Sequence, residues 1–245
     1  MKSPIPLLHG TGSIPPIGLG TWQSSANATC LAVKHALQHG YRHIDTALNY
    51  GNEKEVGQGI RDSGIPREEI WVTTKLDNHW HHRVREGLES SLRDLGLEYV
   101  DLYLIHFPCS TDPEDRSKHL KDWDFVRTWQ EMQKLLGTGK VRNIGVSNFQ
   151  ISHLERLLND PSCKVIPAVN QIELHPYNPS LRWNLQRGVS VIPKSITPAR
   201  IDSNIDLEGF ELSPDEMGEI SAIKTRAKVV GDSWMPIRVF TGDDE

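Results

Sequence analysis

Cysteine is scarce in this chain of 245 residues: Cys30, Cys109 and Cys163 are odd in number, far apart and without a CxxC pair. That pattern argues against a disulfide framework or a zinc site built on cysteines and points to reduced thiols, as in the cytoplasm. Long apolar runs are lacking too. No stretch approaches the length of a membrane span, residues 1–6 have no apolar signal core, and residues 242–245 carry no retention or peroxisomal signal. Nor is there an excess of positive charge: a formal net charge of -5 gives no basic surface for nucleic acid or an anionic membrane. No Pro/Gly/Ser-rich or highly charged linker interrupts the chain, so residues 1–245 are expected to form one domain.

What is present reads as an α/β protein. Hydrophobic residues at 37% and charged residues at 24% are ordinary proportions for a packed chain, so disorder is expected only near the ends. Residues 5–14, broken by Gly10 and Gly12, suit a short hairpin. Strands are expected over residues 17–21, 43–47, 70–75, 99–106, 143–148, within 165–174, and over 189–195. Between them lie one-sided helical patterns: Cys30, Val33, Ala36 and Leu37, ended by Gly40; residues 53–61; Val84, Leu88, Leu92 and Leu95; and Phe125, Val126, Trp129, Met132 and Leu136. Ser152 with Glu155, and Ser213 with Glu216, have the spacing of capping boxes, the second opening a helix through Lys224. A polar insert over residues 108–122 has the length of a functional loop.

Regular alternation of strand and helix predicts a parallel sheet covered by helices, and near-constant spacing favours a closed barrel over a doubly wound sheet. No GxGxxG follows the first strand, which also weighs against a Rossmann fold. A barrel of this kind needs eight strands, and seven are expected after the hairpin.

Four polar residues fall at the carboxyl ends of successive strands: Asp45 and Tyr50 in Gly40-Tyr41-Arg42-His43-Ile44-Asp45-Thr46-Ala47-Leu48-Asn49-Tyr50-Gly51, then Lys75, then His106. Taken singly, each has a structural explanation, Asp45 as a turn cap and Tyr50 as a packed ring. Together they would converge at the carboxyl mouth of a barrel. A phenol is a weak proton donor near neutral pH unless its anion is stabilised, which a neighbouring Lys75 held by Asp45 would do. A neutral His106 could hydrogen-bond a carbonyl oxygen. Two other patterns carry less. Gly137-Thr138-Gly139-Lys140 lacks the Ser/Thr of a phosphate loop and reads as a helix stop. His79-Trp80-His81-His82 has no common zinc spacing, and no metal is expected.

Four segments now make a resemblance specific: residues 43–47 with Tyr50-Gly51-Asn52-Glu53, residues 95–103, Gly145-Val146-Ser147-Asn148-Phe149, and Ile192-Pro193-Lys194-Ser195. Together they resemble the aldo-keto reductases, in particular NADP-dependent glycerol or aldehyde reductases, over most of the chain. The resemblance implies a (β/α)8 TIM barrel and a catalytic tetrad of Asp45, Tyr50, Lys75 and His106. It also implies NADP(H) held by Thr21, Trp22, Asp45, Ser147, Asn148, Gln171, Lys194, Ser195, Arg200 and Asn204. Trp22, Trp80, His106 and Phe107 would line the site of a small-molecule carbonyl substrate, Phe107 standing where the family more often has Trp. Cations such as Lys194 and Arg200 suit a 2′-phosphate, although a solvated basic turn accounts for them equally well. A monomeric cytoplasmic enzyme is expected.

One departure qualifies this picture. Only Pro179 and Ser180 separate His175-Pro176-Tyr177-Asn178 from Leu181-Arg182-Trp183-Asn184, where family members carry a further helix, the seventh strand and most of another helix. Roughly 50 residues, about one βα unit, are absent. By resemblance the missing piece includes an aromatic residue that stacks on the nicotinamide and a loop that straddles the pyrophosphate. The expected fold is therefore an incomplete barrel. Besides a working reductase, a catalytically impaired nucleotide-binding or protein-interaction domain is the alternative.

Overall fold

In the run from Val100 to Ile105, Leu102 and Leu104 point to one face and Tyr103 and Ile105 to the other, because successive side chains of a strand alternate. The first pair packs against Ile14 of the amino-terminal hairpin, and the second joins a larger core under the helices. This two-sided burial is why the strand is apolar throughout. The computed structural model describes residues 3–174, 180–207, 209–223 and 230–240.

The hairpin pairs β1 (Ile5–Pro6) with β2 (Ser13–Ile14). Then follow β3 (Leu19–Gly20), α1 (Ala26–Gln38), β4 (His43–Asp45), α2 (Glu53–Ser63), β5 (Trp71–Leu76), α3 (Val84–Leu95) and β6 (Val100–Ile105). After the polar insert come α4 (Phe125–Gln133), β7 (Val141–Ser147), α5 (Ile151–Leu158) and β8 (Asn170–Gln171). The chain continues through α6 (Ser180–Gln186), α7 (Pro198–Ile205) and α8 (Pro214–Ser221). β3 to β8 form one sheet in sequential order, every pair parallel. Among the described residues no helix is long and apolar enough to cross a membrane.

The sheet curls far enough for the chain near residue 191 to reach its first strand. Ile17 bridges Val191 and Gly20 bridges Lys194, both in parallel. Gly20 permits that approach, since a Cβ there would lie 2.8 Å from the carbonyl oxygen of Ile192. The expected strand over residues 189–195 is thus reduced to two isolated bridges, and among the described residues the sheet has six strands rather than seven. Among the described residues nothing pairs with the outer edge of β8, so the wall is open between Gln171 and Val191. The barrel is incomplete, as the strand count implied.

Several boundaries differ from the sequence reading. The strand expected within residues 165–174 shortens to Asn170–Gln171, and that over 43–47 to His43–Asp45. The capping box of α5 is Gln150 with His153, two residues earlier than Ser152 with Glu155. Ser213 and Glu216 do cap α8, which ends at Ser221; Lys224 lies outside the described residues. So do His175, Pro176, Tyr177, Asn178 and Pro179.

Burial follows the alternation. Val33, Leu37, Ile44, Val72, Leu88, Leu95, Ile144 and Trp129 pack between sheet and helices, each large apolar side chain contributing about 1.5–3 kcal/mol. On the inner face, His43 and Asp45 of β4, Thr73 and Lys75 of β5 and Ser147 of β7 replace apolar residues toward the carboxyl end. Polar groups there are the mark of a site rather than of a core.

Candidate active site

Asp45, Lys75, His106 and Ser147 share one face and one end of the sheet because each ends or follows a strand whose other face is sealed by helices. Tyr50 reaches them from the 3-10 turn Leu48–Tyr50 after β4. Gly51, at φ 67, reverses the chain immediately behind it. Thr21 fixes the start of this loop, donating from both its backbone N-H and its hydroxyl to the Asp45 carbonyl.

Lys75 is the hub. Its Nζ donates to Asp45 Oδ1 at 2.7 Å, to the Thr46 carbonyl at 2.8 Å and to the Tyr50 hydroxyl at 3.3 Å. Neither the lysine nor the aspartate side chain is more than 3% exposed, so the pair is shielded from solvent screening. Burial lowers the ammonium pKa, but Asp45 and Tyr50 outweigh it and leave it raised. At Asp45 burial raises the carboxyl pKa and wins over Lys75 and the Gln171 amide, which pull it down. An ion pair ordinarily depresses its acid. Here the acid has lost more hydration than its partner restores.

The expected lowering of Tyr50 is not found. Burial pushes its phenol above the ordinary value, and Lys75 offsets only part of that. The group therefore stays protonated near neutral pH, with its oxygen beside a fixed cation. His106 stands edge-on to the Tyr50 ring, centroids 5.5 Å apart. Burial and the Lys75 charge drive its pKa down to about 3, so the imidazole is neutral, as anticipated.

These groups open into a cavity of about 940 Å³ bordered by Trp22, Tyr50, Lys75, His106, Phe107, Ser147, Asn148 and Gln171. Asn148 adopts φ 62 and donates its amide to the His106 carbonyl at 2.9 Å, while Ser147 donates to the Gln171 carbonyl at 2.8 Å. The ends of β6, β7 and β8 are thereby tied together. Ile5, Leu7 and Ile14 of the hairpin also border the cavity. The space thus runs from the mouth to the floor, where a closed barrel is filled by layers of side chains.

Not every expected site residue converges here. Trp80 is absent from the cavity wall: it packs against the helix-side core and carries the Arg83 guanidinium 4.5 Å above its ring. Lys194 forms the second of the bridges that join the last segment to β3, Ser195, Arg200 and Asn204 follow it, and none of the four borders the cavity. Lys194 and Arg200 are exposed and make no ion pair among the described residues. Ser195 accepts from the Thr197 N-H just before α7. The sequence reading missed Trp234, which borders the cavity and meets the Phe107 ring edge-on at 5.3 Å. Its only signal was an aromatic residue in a polar carboxyl-terminal segment.

Comparison with known proteins agrees with this geometry. The model of the Aldo/keto reductase family matches residues 16–180. Glycerol 2-dehydrogenase (NADP(+)) of Saccharomyces cerevisiae is 39% identical, covering 95% of this chain and 96% of its own. That alignment spans 300 positions against 245 residues here, so at least 55 positions of the yeast protein face no residue. An aldose reductase from Schistosoma japonicum superposes with a TM-score of 0.88 at 31% identity, covering 100% of both chains. An aldo-keto reductase of Bombyx mori in complex with NADP gives 0.78 at 33% identity, over 89% of this chain and 92% of that one. Strand-end chemistry, sheet order and sequence therefore agree, and the chain belongs to the aldo/keto reductase family.

Proposed function

We propose that this chain is an NADPH-dependent reductase of aldehydes or ketones, with sugar-type carbonyls such as glyceraldehyde as its substrate class and Tyr50 as the proton donor. The observation that carries the reading is the Lys75 ammonium, hydrogen-bonded at once to Asp45 and to the Tyr50 hydroxyl in the cavity that His106 faces. Bound NADPH would supply a hydride to the carbonyl carbon. Tyr50 holds its proton in the resting site, and the Lys75 charge stabilises the phenolate left when that proton passes to the carbonyl oxygen. Asp45 keeps the ammonium in position. The neutral His106 ring makes no hydrogen bond among the described residues and is free to orient the carbonyl oxygen. Trp22 and Phe107 border the cavity, and the Phe107 ring stacks on His106 at 5.0 Å.

The residues present fit both ends of the cofactor. Ser147, Asn148 and Gln171 offer hydroxyl and amide groups for a carboxamide, and Trp22 borders the same space, while Thr21 is buried behind it against the Asp45 carbonyl. Lys194 and Arg200, without an ion pair among the described residues, are cations suited to a 2′-phosphate, with Ser195 and Asn204 beside them in sequence. Between these ends the loop expected over the pyrophosphate has no counterpart. In this reading the enzyme is a cytoplasmic monomer acting on a freely diffusing substrate.

A second reading, an impaired nucleotide-binding or interaction domain, draws support from the open wall between Gln171 and Val191. Following NADPH absorbance with a reactive aldehyde, alongside direct cofactor titration, separates the two. Tyr50→Phe should cut turnover ~100-fold or more with NADPH affinity nearly unchanged. A variant that retains more than about a tenth of the wild-type rate contradicts the role given to Tyr50.

A further inference from the structure

On the outside of the barrel, away from the cavity, α1 and α7 bring three metal-ligating side chains together. His35 and His39 stand four residues apart on α1 and its carboxyl cap, hence on one helix face. Their rings stack with centroids 3.8 Å apart and planes at 21°. Asp202 of α7 points its carboxylate at the same place, Oδ1 lying 2.7 Å from His35 Nε2. One ligand atom from each of the three falls within 4.8 Å of the others.

From these contacts we propose that His35, His39 and Asp202 form a binding site for a divalent transition metal, Zn²⁺ in particular, which joins the first helix of the barrel to the helix after its last strand segment. The donor set is two imidazoles and one carboxylate. That suits zinc, which takes three protein ligands and water, and does not suit calcium or magnesium, which require oxygen-rich shells. His39 is already in the required tautomer. Its Nδ1 donates to the His35 carbonyl at 2.8 Å, which leaves the Nε2 lone pair outward, as second-shell contacts do for metal-bound histidines. Zinc–ligand distances of about 2.0–2.1 Å set neighbouring donors a little over 3 Å apart. The two stacked rings must turn out of parallel for both lone pairs to meet at one ion, and Asp202, 46% exposed, has room to move. On binding, the ion takes the place of the hydrogen between His35 Nε2 and Asp202, and the imidazole carries its one N-H at Nδ1.

The backbone beneath is already fixed. Tyr41, just after α1, donates its buried hydroxyl to the Ile201 carbonyl at 2.9 Å, so the two helices are held in register. A metal across them would add to a closure held by this bond and by the two strand bridges.

The test is a zinc titration of the full chain, freed of any affinity tag and stripped with chelator, read by melting temperature and by bound zinc per chain. One zinc bound at micromolar concentration and an upward shift of about 5 °C at saturation are expected. His39→Ala and Asp202→Asn should each weaken zinc binding by about tenfold or more and abolish the shift, while His82→Ala, in the other histidine cluster, should leave it intact. Absence of any shift up to millimolar zinc, or an undiminished shift in both His39→Ala and Asp202→Asn, overturns the proposal. Neither readout depends on NADPH or on turnover.

Discussion

Lys75 and Asp45 meet at 2.7 Å with neither side chain more than 3% exposed, so each charge depends on the other for what it has lost in water. Removing one partner of such a pair is costly, typically ~3–5 kcal/mol, because the remaining charge is stranded. Lys75→Met should therefore destabilise the fold by that order in denaturant unfolding. The double variant Lys75→Met with Asp45→Asn should recover much of the loss while remaining inactive. If the single and double variants unfold at the same denaturant concentration, the pair is not coupled as its geometry requires.

Glu53, at the start of α2, provides a pH dependence of stability. Burial raises its carboxyl to about 7, against the pull of a hydrogen bond from Thr74 at 2.6 Å. In the unfolded chain the same group titrates near its ordinary value of 4.5. Between those values the folded state holds a proton that the unfolded state has lost. The contribution is thus fully present below pH ~4.5 and is lost as pH rises through about 7. Up to ~3 kcal/mol is at stake. Glu53→Gln should flatten this slope when unfolding midpoints are compared at pH 5 and pH 8, and parallel pH profiles for the two proteins would refute the assignment.

Lys194 and Arg200 offer a test of cofactor choice. Replacing both with Met should weaken NADPH much more than NADH, since each charge-assisted contact is worth roughly 1.5–3 kcal/mol, tenfold or more in affinity. Equal weakening of both cofactors would remove the basis for a 2′-phosphate site.

The open wall makes the fourth prediction. Among the described residues the outer edge of β8 has no strand partner, and a barrel interior that lacks one strand's side chains is poorly filled. Grafting the strand and helix of a complete relative between Asn178 and Leu181 should raise both melting temperature and NADPH affinity. A chain that already binds NADPH at low micromolar concentration, and gains nothing from the graft, would show that the missing unit is dispensable.

Much of the site was legible because strands alternate with period two. Asp45 follows Ile44, Lys75 stands between Val72 and Leu76, and His106 follows Ile105, apolar residues that face the helices, so the face and end of these three could be read from the sequence. The absence of a βα unit was legible as well, as a short separation between two landmarks. Less accessible was the balance of charges. Sequence alone put Lys75 beside Tyr50 and implied a lowered phenol pKa, whereas the net direction is upward because the fold withdraws the hydroxyl from water. Trp80 looked like a substrate residue by resemblance, yet the turn after β5 directs it into the helix-side core.

The sequence by itself determined the alternation of strand and helix, the parallel order of the sheet and the identity of the groups at its carboxyl end, since each depends on local periodicity and turn chemistry. Only the tertiary structure decided how far the sheet closes, that residues 191 and 194 contact β3 through bridges rather than a full strand, and that Trp234 returns to the mouth. It also decided that His35, His39 and Asp202 meet. Those outcomes rest on contacts between residues far apart in the chain, set by packing and burial that no local pattern encodes.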